Sequence, residues 1–308
     1  MPSILLTNPH NVTELNFNTT STAKLGGSIN ISQFQYIEDF KCTNSGITSL
    51  GSLANNTSLE RLTVPDNLIT VLPSLTSNTN LIFVDCSRNN ISQAFPDLSS
   101  NTKLKHFYCF ANEFTGAVPD ISANTDMQNF GVGINKLTGS IPSLSSNTSL
   151  IGYNVQQQTP GLTGSIPSLS SNTNLTQFNA AGNSLSGSIP SLSSNTNLEI
   201  FQVGNNALTG NIPDLSNNTA LEAFTCNSNN LSGYAGGTIT SKLSTFGSSN
   251  NILTESAVDD ILNKLNAAGE YNGNVNLGGS GNASPTGGIN NPDRLDLIAR
   301  NWTVVVNP

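Results

Sequence analysis

Apolar residues return along this chain in one short phrase, shown clearly by Leu198, Phe201, Val203, Leu208 and Ile212. Phe201 and Val203 alternate with polar neighbours, the spacing of a strand that buries one face and turns the other outward. Asn206 follows that strand, and Pro213 closes the phrase after Ile212. The equivalent residues Leu185, Leu208 and Leu231 stand 23 residues apart, a period that suits one strand and its return path stacked on the next. Phased by its first strand residue, the pattern runs through Val12, Ile37, Leu59, Leu81, Leu104, Met127, Leu150, Leu175, Leu198, Leu221 and Leu243, which makes eleven units. The segment from Gln156 to Gly161 is a small insertion in the seventh. Eleven stacked strands predict a parallel sheet roughly 50 Å long.

Two asparagine series accompany the strands. One, including Asn67, Asn89, Asn112 and Asn135, follows each strand; the other, including Asn56, Asn78, Asn101 and Asn124, precedes the next. Both read as ladders of amides that satisfy backbone groups of neighbouring coils. Asn56-Thr-Ser and Asn147-Thr-Ser are also glycosylation sequons, which in so asparagine-rich a chain arise readily by chance.

The pattern is that of a leucine-rich repeat. The phrase from Leu137 to Pro142, Leu-Thr-Gly-Ser-Ile-Pro, and its counterparts from Leu162 and Leu185 closely resemble the signature of plant-type members, over roughly residues 110 to 233. That resemblance implies a short second strand beside the concave sheet and a ligand-binding habit. The expected fold is therefore a leucine-rich repeat solenoid, mostly β and irregular coil, spanning residues 1–253. The paired cysteines that flank plant members, and their kinase and membrane segments, do not occur in this sequence.

From Thr254 the repeat stops. Val258, Ile261, Leu262 and Leu265 have helical spacing, with Gly269 as the stop. A polar loop from Asn272 leads to a second helix with Asn291 as N-cap and Pro292 in its first turn, and the chain closes on a strand after Trp302. This helix–loop–helix–strand segment, residues 254–308, is the expected cap of the last coil. It resembles the endings of phage tail and other virion proteins and of some bacterial surface proteins, with Asn301 where those carry Gly.

Composition narrows the function. A net charge of −8 and a pI near 4.6, with no Lys/Arg run, argue against nucleic acid and anionic membranes as partners. No stretch approaches a membrane span, and the N-terminus lacks the form of a secretion signal. Cys42, Cys86, Cys109 and Cys226 fall in the inward slot that Val64, Val132 and Val203 fill elsewhere, so they read first as small buried hydrophobes. Cys86 and Cys109 lie on adjacent coils, which leaves a disulfide open.

Catalytic chemistry has little to draw on. The histidines are His10, near the N-terminus, and His106, on a strand; no nucleophile elbow, zinc signature or phosphate loop occurs. The run Gly278-Gly-Ser-Gly reads as a turn, and Asp259, Asp260, Asp293 and Asp296 as solvated acids. The expectation is a non-enzymatic protein that needs no cofactor or metal. Outward strand positions instead gather Phe83, His106, Tyr108 and Phe110 on neighbouring strands, with Arg61 and Asp85 as a possible surface ion pair and Lys41 nearby. These six, Arg61, Phe83, Asp85, His106, Tyr108 and Phe110, form the candidate binding face for a protein or glycan. The reading is a recognition or adhesion protein on a phage virion, with other virion proteins as partners along an N-terminal edge strand from Val12 to Phe17. A virion spacer and a bacterial surface protein are the alternatives.

Overall fold

The computed structural model describes residues 12–18 and 24–308; His10 and the apolar residues near the N-terminus lie outside them. The chain divides into two compact units, Met1–Leu150 with Gln158–Pro160, and Ile151–Gln157 with Gly161–Pro308.

In the first unit the strands Glu14–Asn18, Asp39–Thr43, Arg61–Thr63, Phe83–Asp85, His106–Tyr108 and Asn129–Gly131 pair parallel in that order. Leu15, Phe40, Leu62, Val84, Phe107 and Phe130 lie side by side across this register, and those from Phe40 onward are buried. The phase read from the sequence is thus the one that places one apolar row in the core. Thr115–Ala117 pairs with Lys136–Thr138 as the short second strands that the plant-type phrase implies, and Gly27–Ile29 pairs with Ile47–Leu50 in earlier coils that lack that phrase.

Each coil is tied to its neighbour by asparagine. Asn67 donates from Nδ2 to the carbonyls of Cys42 at 2.7 Å and Val64 at 3.2 Å, and its Oδ1 accepts from the N–H of Ser45 at 2.9 Å. Asn78 donates to Leu53 and Asn56 carbonyls at 3.0 and 2.8 Å. Asn56 and Asn147 are wholly buried in that second ladder, so these sequons are structural positions and not sugar acceptors. Where the insertion displaces the usual asparagine, Gln158 replaces it: its Nε2 donates to Val132 O at 2.9 Å and its Oε1 accepts from Leu137 N at 3.1 Å.

In the second unit the strands Gly152–Asn154, Gln177–Asn179, Ile200–Gln202, Ala223–Thr225, Thr245–Gly247, Asn274–Asn276 and Thr303–Val305 pair parallel in that order. Beneath them Tyr153, Phe178, Phe201, Phe224 and Phe246 stack at 5.4–5.8 Å between successive ring centroids. Ser186–Ser188, Ala207–Ile212 and Asn230–Tyr234 form the flanking sheet.

Helix α1, Glu255–Ala268, starts where the Thr254 side chain accepts from Ala257 N and stops at Gly269, whose φ of 83° takes the left-handed form. It buries Val258, Ile261, Leu262 and Leu265, the row with helical spacing. Helix α2, Pro292–Ala299, is capped by Asn291, which accepts from Arg294 N. The polar loop between them corrects the sequence reading, because Asn274–Asn276 is a strand that continues the sheet. Asn282 in the same segment extends the first ladder, donating to Ser248 O at 2.9 Å and Leu277 O at 2.7 Å. Asn301 has φ 66°, a left-handed conformation that asparagine tolerates.

Cys86 and Cys109 are bonded, whereas burial alone favours free thiols; parallel register brings their Cα atoms to 4.9 Å, within disulfide reach. Cys42 and Cys226 are free and buried, and burial pushes the Cys226 thiol up to about 12.

Candidate ligand-binding face

The open face of the first unit carries two regular rows. Asp39, Arg61, Phe83, His106 and Asn129 occupy one, and Lys41, Thr63, Asp85, Tyr108 and Gly131 the next. Parallel pairing without slippage makes this grouping, since every strand enters at the same point of its coil. Five of the six predicted site residues lie in these rows, with Phe110 two residues beyond the His106–Tyr108 strand; all six are half-buried except Arg61, which is exposed.

Phe83 is the hub, with its ring centroid 5.9 Å from both His106 and Tyr108, which stack at 6.4 Å. The Arg61 guanidinium lies over the Phe83 ring itself, 4.3 Å from its centroid. Tyr108 leans across Gly131, where an added Cβ would stand 3.2 Å from the Tyr108 ring. Phe110 receives a second guanidinium, that of Arg88, at 5.4 Å.

The ion pairing differs from the expectation. Arg61 pairs with Asp39 at 3.8 Å and not with Asp85, because Asp39 is its direct partner in the register. Asp85 instead accepts from the N–H of Ser87 at 2.9 Å. Arg88 grips Asp66 with two hydrogen bonds, one of them Nη2 to Oδ2 at 2.7 Å, and this holds the Asp66 carboxyl below its usual range. Strand alternation could not assign Arg88: it sits past the strand end at φ 53°, outside the period-two pattern.

His106 Nδ1 lies 3.1 Å from Asn129 Nδ2. An amide nitrogen only donates, so the ring accepts there as a neutral imidazole and its Nε2 carries the proton. Burial first, then Arg61 and Lys105, lowers its pKa, in keeping with the neutral form. Burial, with a smaller contribution from Asp85, raises that of Tyr108. The face thus offers aromatic surface edged by a donor imidazole, a phenol and a carboxylate.

Other candidate chemistry serves the fold. Asp259, Asp260 and Asp293 line a shallow hollow between α1 and α2. Asp259 there accepts from Thr286 N at 2.9 Å, and Asp293 from Asn266 Nδ2 at 2.7 Å. Among the described residues no group of three or more His, Cys, Asp or Glu is placed to hold a metal ion, and no helix is long and apolar enough to cross a membrane.

No protein-family model matches the sequence, and no curated protein does. Solved structures do match. A TDR receptor superposes with a TM-score of 0.72 at 22% identity, over 96% of this chain and 55% of the receptor. The leucine-rich repeat ectodomain of the Arabidopsis receptor kinase HAESA, solved with a peptide hormone ligand, gives 0.68 at 23% identity over 88% of this chain and 50% of that one. A leucine-rich repeat protein of Leptospira interrogans gives 0.64 at 20% identity, over 89% and 68%. The chain spans about half the length of both of these receptor structures. The fold is the leucine-rich repeat solenoid, and its similarity runs to plant and bacterial proteins alike.

Proposed function

We propose that this protein is a recognition module that binds a polypeptide through the open face of its first unit, with Phe83, His106, Tyr108 and Phe110 as the contact centre and Arg61 and Asp85 beside them. The observation that carries the reading is the aromatic cluster: three half-buried rings, Phe83, His106 and Tyr108, meet on two adjacent strands, with half-buried Phe110 two residues beyond the second, in a chain where aromatics make up 6% of residues. Clustered rings left partly in water gain by being covered, and aromatic anchors dominate protein interfaces. The HAESA ectodomain, a structural neighbour, is described with a peptide hormone bound. No enzymatic role is part of this reading. The C-terminal ending and the edge position of the Glu14–Asn18 strand support a setting on a virus particle, with that strand as the attachment.

The test is a Tyr108→Ala/Phe110→Ala double variant, compared with the intact chain on peptide and glycan arrays. The variant is expected to keep its melting temperature within a few degrees and to lose the peptides that the intact chain binds. Undiminished peptide binding by the folded variant overturns the proposal, as does binding confined to glycans.

A further inference from the structure

Three carboxylates border the aromatic cluster, and two are already matched. Asp39 faces Arg61, and Asp66 holds Arg88. Asp85 has no ion-pair partner among the described residues; its Oδ1 accepts a hydrogen bond from the Ser87 N–H at 2.9 Å. It is half-buried, two residues after Phe83 on the same strand and directly opposite Tyr108 in the register. A carboxylate drawn part way out of water, with one backbone N–H bond and Arg88 near but outside ion-pair contact, gains when a cation arrives in direct contact. The rings around it already stack with guanidinium groups in the protein itself, Arg61 on Phe83 at 4.3 Å and Arg88 on Phe110 at 5.4 Å.

We propose that Asp85, between Phe83 and Tyr108, seats an arginine or lysine side chain of the polypeptide partner. This rests on the reading that the face binds a polypeptide, and it adds which residue of the ligand is selected. The cation would bond the carboxylate while its apolar stem covers the flanking rings. The chain's net charge of −8 draws a basic segment at long range. Lys41 lies in the same row as Asp85 beyond Thr63. Two strand spacings, roughly 10 Å, separate them, about one screening length at physiological salt. Its repulsion at the Asp85 seat is therefore weak.

The experiment uses synthetic peptides identical except for Arg, Lys, Leu or Glu at the central position, bound to the intact chain and to Asp85→Asn. Asparagine keeps an oxygen for the Ser87 N–H, so the fold is expected to survive with an unchanged melting temperature. Arg- and Lys-centred peptides are expected to bind the intact chain at least about tenfold tighter than Leu- or Glu-centred ones, and Asp85→Asn to remove that preference. Equal binding of Leu-centred peptides, a preference that persists in Asp85→Asn, or no binding of any basic-centred peptide overturns the inference. The Tyr108→Ala/Phe110→Ala variant separates the two readings. If it loses peptides that Asp85→Asn binds like the intact chain, the face is a peptide site and Asp85 is not its basic-residue seat.

Discussion

Ile134 follows its strand at φ 57° with its side chain 45% exposed, a conformation that crowds any L-residue and a β-branched one most. It is one of a series, for Asn44, Asp66, Arg88 and Ala111 take the same turn at φ 50–58°. The asparagine ladder imposes that turn whatever the residue, so strain collects where the residue is unsuited. Ile134→Asn is therefore expected to stabilise the protein by about 1 kcal/mol, because asparagine tolerates the left-handed form and little burial is lost. Chemical denaturation of the two proteins checks it. His106 gives a second residue-scale prediction. Its pKa is lowered in the fold, so the unfolded chain takes up the proton first as pH falls. The stability it contributes is present above the ordinary histidine pKa of about 6.5 and is lost as pH falls through the folded value. An NMR titration should place its midpoint below that ordinary value; a higher midpoint would contradict burial as the main influence on the ring.

At the scale of the element, the repeat was legible because its signals are redundant. Phe40, Leu62, Val84, Phe107 and Phe130 each fall on the inward row, and α1 could be read from the spacing of Val258, Ile261, Leu262 and Leu265 together with Gly269. What escaped has a single weak signal each. Asn274–Asn276 holds one apolar residue, Val275, among Asn and Gly, and only the neighbouring coil makes it a strand. Gln158 does the work of an asparagine from a displaced position, and Arg88 lies past the strand, where no alternation applies. The aromatic cluster was legible, since it needs only the register, but its ion pairs were not, since pairing depends on which row a charge shares. The disulfide joins the strands that carry this cluster, closing a loop of sequence separation 23. Removing it as Cys86→Ala/Cys109→Ala is expected to lower stability by about 3 kcal/mol, in line with chain-entropy estimates for such a loop. An unchanged denaturation midpoint would show that the two sulfurs contribute only as buried hydrophobes.

For the molecule as a whole, charge is distributed unevenly between the two units' open faces. The first unit places Asp39, Lys41, Arg61 and Asp85 there, whereas the open strand positions from Gly152 to Gly247 in the second carry amides, hydroxyls and small or aliphatic side chains without charge. Asn179 there donates to both Gln156 and Gln202, at 2.7 and 2.8 Å, so its amides satisfy one another. Charged and aromatic side chains of the open strands thus concentrate in the first unit, and the second unit's distinctive part is its ending. There α1 packs on the Asn230–Tyr234 strand, and the Asn274–Asn276 strand pairs with Thr245–Gly247. The Trp302 indole donates to Glu270 O at 2.8 Å, and its ring fills the space where a Cβ on Gly273 would stand 2.4 Å away. Deleting residues 254–308 would strip the cover from the buried Leu231, Leu243 and Phe246 and leave the Thr245–Gly247 strand with an unpaired edge. The truncated chain is expected to aggregate or to melt at a lower temperature, as read by light scattering and thermal unfolding. A truncated chain that stays monomeric with the intact melting temperature would mean that the repeats close their own end. A gentler variant, Gly273→Ala, should act in the same direction by displacing Trp302, which separates loss of the cap's packing from loss of its mass.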